Sequence, residues 1–138
     1  MATAASANGP RSISVDQLMA LLKRLQAQIG LLKVLVIRDS AIPTLGARFF
    51  DGLFIRRVEL ADCGIASVER GAFAGLESVL QELALPRNRL VRVPTAAIAG
   101  LSALTKLDLS YNEIGELAGE DALPRFAKVG QRDLLYLI

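Results

Sequence analysis

The chain has 138 residues, enough for one domain, and 52% of them are hydrophobic while only 5% are aromatic and none is Trp, so any core is built from aliphatic side chains. The 16 basic and 14 acidic residues leave a formal charge of +2, too close to balance for a nucleic-acid or anionic-membrane surface, and no basic stripe interleaved with aromatics occurs. The single cysteine, Cys63, excludes an internal disulfide, the absence of His excludes histidine-based triads and histidine metal ligands, and no uninterrupted apolar run approaches the ~18 residues of a membrane span.

In chain order, the Ala, Ser and Gly of Met1 to Pro10 set the tone of a segment expected to be disordered over 1–12. It lacks the basic stretch and apolar run of a signal peptide. A helix is expected over 13–30. Ser14 is placed to cap it, Gln17 completes a capping box, and Ile13 and Leu18 stand where a hydrophobic staple needs them. Val15, Leu18, Met19, Leu22, Leu25 and Ile29 fall on one helical face, and Gly30 fits a left-handed C-terminal cap. This helix is either a cap on the first strand or the back half of a degenerate earlier repeat. Both readings bring the same apolar face onto that strand.

From Leu32 onward a repeat governs the chain. Leu32, Ile55, Leu80 and Leu104 open four blocks spaced 23, 25 and 24 residues apart. With these as position 1, positions 4 and 6 hold Leu35 and Ile37, Val58 and Leu60, Leu83 and Leu85, Leu107 and Leu109. Position 9 holds Ser40, Cys63, Asn88 and Asn112, and position 11 holds Ile42, Ile65, Leu90 and Ile114. A second block recurs in phase: Phe50, Phe73 or Ile98 at position 19, followed by Gly52-Leu53, Gly75-Leu76 or Gly100-Leu101. Against the form L-x-x-L-x-L-x-x-N/C-x-L, the blocks at 80–90 and 104–114 match in full, that at 55–65 matches with conservative swaps, and that at 32–42 has Ser where Asn or Cys is usual. Four such blocks in register over 31–117 point to a leucine-rich repeat. The expected fold class is α/β repeat: a curved leucine-rich-repeat solenoid with a parallel sheet on its concave face and an N-terminal helix.

The spacing has physical reasons. Positions 4 and 6 share one side of a short strand and face inward, following the strand's two-residue period. Position 9 turns the chain, and an Asn there can bond the buried backbone groups of its own and the neighbouring turn. Ser40, Cys63, Asn88 and Asn112 are therefore the expected structural ladder. A reactive thiol is the alternative for Cys63, but without a neighbouring His nothing activates it. The Phe side chains are expected to fill the convex side as core, and the glycines to allow close approach before each new coil.

After Leu117 the register breaks. Phe126 and Val129 re-enter it late, and Leu135 and Leu137 land on positions 4 and 6 of a further repeat. The expectation is an irregular segment over 118–138 that begins a truncated fifth repeat. Its uncapped end invites self-association and marks a fragment of a longer protein.

The segments "IASVERGAFAGL" and "LDLSYNEI" resemble those of arthropod extracellular and cell-surface leucine-rich-repeat proteins of about 24 residues per repeat, the chaoptin, connectin and slit-like groups. The resemblance covers 32–117. It implies recognition of a protein ligand, adhesion or matrix contact, an extracellular or cell-surface location, and no cofactor. Those groups usually carry a signal peptide and cysteine-rich flanking caps, which this chain lacks, so an intracellular scaffold or regulatory subunit stands as the alternative.

The outward strand positions 3, 5, 7 and 8 are chemically mixed where the inward ones repeat. Arg57, Glu59, Glu82, Arg87, Lys106, Asp108 and Tyr111 are the candidate partner-binding residues, since Arg and Tyr are favoured interface anchors. A merely solvated face is the competing reading. Catalysis finds no support: no Gly-rich phosphate loop follows a strand, and the close carboxylates Glu116, Glu120 and Asp121 sit in the irregular region. No catalytic, cofactor-binding or metal-binding residue is expected.

Overall fold

A computed structural model describes residues 14–114 in full, together with the backbone of two outlying strands, Ala4–Ala7 and Leu134–Tyr136. In chain order the elements are β1 (Ala4–Ala7), α1 (Val15–Arg24), α2 (Gln26–Ile29), β2 (Leu31–Arg38), β3 (Thr44–Leu45), β4 (Phe54–Ala61), β5 (Ser67–Val68), β6 (Glu82–Ala84), α3 (Thr95–Ile98), β7 (Lys106–Asp108) and β8 (Leu134–Tyr136). Ile13 of the expected staple, Leu117, Phe126, Val129 and Leu137, the carboxylates of Glu116, Glu120 and Asp121, and the expected uncapped end lie outside the described residues.

The long strands form one parallel sheet in the order β1-β2-β4-β6-β7-β8, and β3 pairs with β5 in a second, two-stranded sheet. The strand register is the repeat register. Val34, Arg57, Glu82 and Lys106, all at position 3, stand side by side, as do Leu35, Val58, Leu83 and Leu107 at position 4. Each coil therefore contributes one strand, and the connection back to the next parallel strand runs behind the sheet. This is the parallel-sheet solenoid that the spacing predicts.

The interior follows from that register. Positions 1, 4 and 6 of every coil are at most 2% exposed, forming aliphatic columns from Leu32 to Leu109. Behind them, Phe50 and Phe73 stack with ring centroids 5.9 Å apart and an interplanar angle of 10°, and Phe49 meets Phe50 edge-on at 4.9 Å. Ile98 continues this column on α3. A coil presents apolar columns to both neighbours, so no single coil buries its own core.

At the N-terminal end, the Ser14 hydroxyl accepts the Gln17 N–H at 3.1 Å and the Gln17 side chain accepts the Ser14 N–H at 3.0 Å. Asp16 in the first turn and Lys23 and Arg24 in the last complement the helix dipole. Leu18, Met19 and Leu22 join the core, with Val15 and Ile29 packed against it. Leu25 departs from the expected face: the chain kinks there between α1 and α2, and its side chain is 36% exposed. Gly30 has the positive φ expected of a terminating glycine, at φ 65° and ψ −128°, outside the left-handed helical well itself.

Two further differences have physical causes. Ala4–Ala7 falls within the segment expected to be disordered, yet it pairs with β2 from Ala4 beside Val34 to Ala7 beside Ile37. Composition measures what side chains can bury, whereas pairing on an open strand edge uses backbone groups, which Ala and Ser supply as well as any residue. The β1–α1–β2 path is thus a strand–helix–strand crossover ahead of the four repeats. The glycines before each new coil are not sites of close approach: a Cβ at Gly52 or Gly75 would meet nothing within 4 Å, and at Gly100 only the Glu77 side chain at 3.9 Å. Gly52 and Gly75 instead supply positive φ, 84° and 97°, which turns the chain toward the next strand. At the other edge, β8 lies against β7 with Leu135 beside Leu107, the register that position 4 requires.

Candidate functional site

The outward face of the sheet presents positions 3, 5, 7 and 8 of each coil. At the N-terminal side are Val34 and Val36, both half-buried. In the middle, strands 21 to 25 residues apart bring four charges into one chain. Glu59 accepts from Arg38 at 2.9 Å and from Arg57 at 2.8 Å, and Arg57 also donates to Glu82 at 3.0 Å. Arg38, the outermost member, was not among the candidates. It sits in the position-7 column, and only the sheet register places it diagonally opposite Glu59. The side chains of Glu59, Arg57 and Glu82 are 15%, 32% and 30% exposed, so this chain of alternating charges is partly shielded and balances itself.

The C-terminal side is more open. Lys106 is exposed and forms no ion pair with the described residues. Asp108 is turned back on its own strand end, accepting the Ser110 N–H at 2.9 Å and hydroxyl at 2.6 Å. Arg87 lies over the Tyr111 ring, 4.7 Å from its centroid, and Tyr111 is 53% exposed. Of the seven sequence candidates, the structure thus joins Arg57, Glu59 and Glu82 in one network and Arg87 and Tyr111 in a second pair, leaving Lys106 and Asp108 apart.

Position 8 carries a feature absent from the motif. Asp39, Asp62, Arg87 and Tyr111 all adopt positive φ, between 53° and 58°, to end the strand and start the turn. Their backbone is held by neighbours: the N–H groups of Asp39, Asp62 and Arg87 donate to the carbonyls of Ala61, Pro86 and Ser110 in the next coil, at 3.1, 3.3 and 3.0 Å. One residue further, the ladder closes the turns from inside. Asn88 makes four bonds, accepting from the N–H of Cys63 and Ile65 at 2.9 and 3.2 Å and donating to the carbonyls of Leu60 and Pro86 at 2.7 and 3.1 Å. Asn112 repeats the pattern, accepting from Leu90 N–H at 3.0 Å and donating to Leu85 carbonyl at 2.8 Å.

Cys63 performs the same task with sulfur. Its thiol lies 3.6 Å from the Ile37 carbonyl of the preceding coil and 3.3 Å from its own Ala61 carbonyl, and it accepts the Ser40 N–H. Ser40 closes its own turn by donating to the Arg38 carbonyl at 3.1 Å. Burial pushes the Cys63 thiol above the ordinary cysteine pKa, the Ser40 N–H pulls it down, and the charges of Asp39 and Asp62 add to the rise. Both burial and the raised pKa disfavour the thiolate, the form of cysteine that reacts.

One parallel strand per coil, an inward aliphatic column and a side-chain ladder at position 9 make this chain a leucine-rich-repeat protein. The family model described as leucine rich repeat matches residues 55–114. The chain is 38% identical over 72 residues to leucine-rich repeat-containing protein let-4 of Caenorhabditis elegans, covering 52% of this chain and 9% of that protein. It is 33% identical over 112 residues to leucine-rich repeats and immunoglobulin-like domains protein 1 of Homo sapiens, covering 81% of this chain and 10% of that protein. Against chaoptin of Drosophila melanogaster the identity is 31% over 78 residues, covering 56% and 6% respectively. The chain therefore spans about a tenth or less of the length of these relatives. Among the described residues no helix is long and apolar enough to cross a membrane.

Proposed function

We propose that this chain is a non-catalytic recognition module of a secreted or cell-surface adhesion-type protein, and that it engages a protein ligand through the concave sheet face. The observation that carries this reading is the contrast between the two sides of one sheet. The inward columns repeat the same aliphatic chemistry, while the outward ones change residue by residue and leave Lys106 and the Arg87–Tyr111 pair open. Packing requires the first and not the second. The adhesion setting is supported by the similarity to chaoptin and to the immunoglobulin-like-domain relative. In this reading Arg57, Glu59 and Glu82 form a rigid central platform, and Lys106 supplies a charge for the ligand.

The test is to stain intact cells and extracellular matrix with the tetramerised chain. Staining is expected, with Lys106→Glu or Arg57→Ala weakening it by tenfold or more. Arg70→Glu, away from the sheet face, leaves it unchanged. Staining that ignores the sheet-face changes would remove the concave face from the reading. A ligand found only in cytosol would replace the adhesion role with that of an intracellular scaffold. Substrate turnover abolished by a carboxylate substitution would end the non-catalytic reading.

A further inference from the structure

The position-8 row has a property that the sheet face does not explain. Read across the coils it is Asp39, Asp62, Arg87, Tyr111: two acids, then a base and an aromatic hydroxyl, each exposed. All four hold a backbone conformation that glycine adopts at no steric cost, and Arg and Tyr are uncommon in it. Asp suits this conformation, but Arg87 and Tyr111 do not, and both side chains stay exposed with only each other for a polar or ring contact among the described residues. Beside the two acids lies an open groove of about 550 Å³ whose walls include Asp39, Ala41, Pro43, Asp62 and Gly64. At the same level of the next two coils the small residues give way to larger ones: Arg87 and Tyr111 project, with their ring-to-guanidinium contact fixing both. One half of this rim is therefore a shallow, open acidic patch, and the other is a basic and aromatic one.

Such a row is its own complement. We infer that a second copy of this chain docks antiparallel on the rim, about a twofold axis between the second and third coils, so that Asp62 meets the partner copy's Arg87 and Asp39 meets the partner copy's Tyr111. A twofold contact must use the same patch on both molecules, residue i meeting j as j meets i. The reversal of Asp-Asp-Arg-Tyr places an acid opposite a donor at every level, and each contact occurs twice. The groove supplies the room. Arg87 keeps its guanidinium edge for a carboxylate while its face rests on Tyr111, and the Tyr111 hydroxyl can donate to Asp39. Neither Asp39 nor Asp62 forms an ion pair with the described residues, and their negative potential already reaches the Cys63 sulfur beneath the groove. The inference does not rest on the proposed ligand reading, although the two share Arg87 and Tyr111 at the edge of the face: pairing through the rim takes that pair and leaves the position-3 and position-5 columns, with Arg57 and Lys106, to another partner.

Sedimentation velocity of the full chain tests it, over roughly micromolar to millimolar concentration, the range that spans weak to moderate association. A monomer–dimer equilibrium is expected that weakens with added salt. Asp62→Arg and Arg87→Asp should each weaken the dimer by tenfold or more, and the double variant Asp62→Arg with Arg87→Asp should restore it, because the swapped charges again face each other. Circular dichroism of each variant verifies the fold. The salt titration of the unaltered chain keeps the test decisive if a swap fails to fold. A chain monomeric throughout, a dimer indifferent to salt, or single swaps that the double variant does not rescue would each overturn the inference.

Discussion

The ladder residues show how one side chain can decide the state of several backbone groups. Asn88 is 5% exposed and closes two N–H groups and two carbonyls that lie in or beside the core. Asn88→Ala leaves the buried N–H groups of Cys63 and Ile65 without their acceptor; at about 1–3 kcal/mol for each, a loss of roughly 2–6 kcal/mol is expected in urea unfolding. Asn112, half-buried, should cost less. Cys63 makes a pH prediction whose sign follows from its environment. Burial raises the folded thiol's pKa, so the folded state keeps its proton where the unfolded thiol begins to ionise, near about pH 8.5. The unfolded state then binds fewer protons, and this contribution to stability is flat below that pH and falls as pH rises through it. The stability gap between the native chain and Cys63→Ala should therefore narrow between about pH 7 and pH 10, and a gap that widens would contradict the assignment. Thiol reagents at about pH 8 should react only as fast as the coil opens.

At the scale of elements, local rules and tertiary demands divide the work. The capping box of α1 is a local device, with both of its bonds formed between residues three apart. Ser14→Ala should cost about 1 kcal/mol in thermal or urea unfolding, and Ser14→Asp should recover most of it, as expected for a cap. The strands are different. β6 and β7 have three residues each and could not persist alone. They exist because the aliphatic columns behind them and the parallel neighbours beside them share one register. The positive-φ residues at position 8 show the same dependence: Asp39, Asp62 and Arg87 each donate their N–H to a carbonyl of the next coil, a partner their own sequence does not supply.

For the whole molecule, stability is a sum over adjacent coils, so position in the stack matters as much as residue type. Leu83 is 1% exposed on β6, between β4 and β7. Leu83→Ala should cost about 2–5 kcal/mol, the range for an emptied core leucine, and should loosen both neighbouring strands together. Hydrogen exchange should find the slowest amides on β4 and β6 and faster exchange toward β2, and in Leu83→Ala the protection of β4 and β7 should fall in parallel. Protection lost on β6 alone would show that the coils do not act as one stack.

Much of this was legible in the residues themselves. The spacing of Leu32, Ile55, Leu80 and Leu104 set the strand register, because a solenoid coil must return to the same side after a fixed length of chain. The capping box around Ser14 was legible because its partners are neighbours in sequence. The tertiary structure alone decided which outward residues meet. Arg38, Glu59, Arg57 and Glu82 join through strands lying side by side, and Arg87 reaches Tyr111 across a full coil. It also decided that Ala4–Ala7 pairs with β2, that Leu25 turns outward at a kink, and that Gly52 and Gly75 serve backbone conformation and not close approach. Periodicity reports what every coil must bury, since burial acts on each coil alike. Contacts on the outer face and at the ends depend on distances between coils, and those appear only when the chain has stacked.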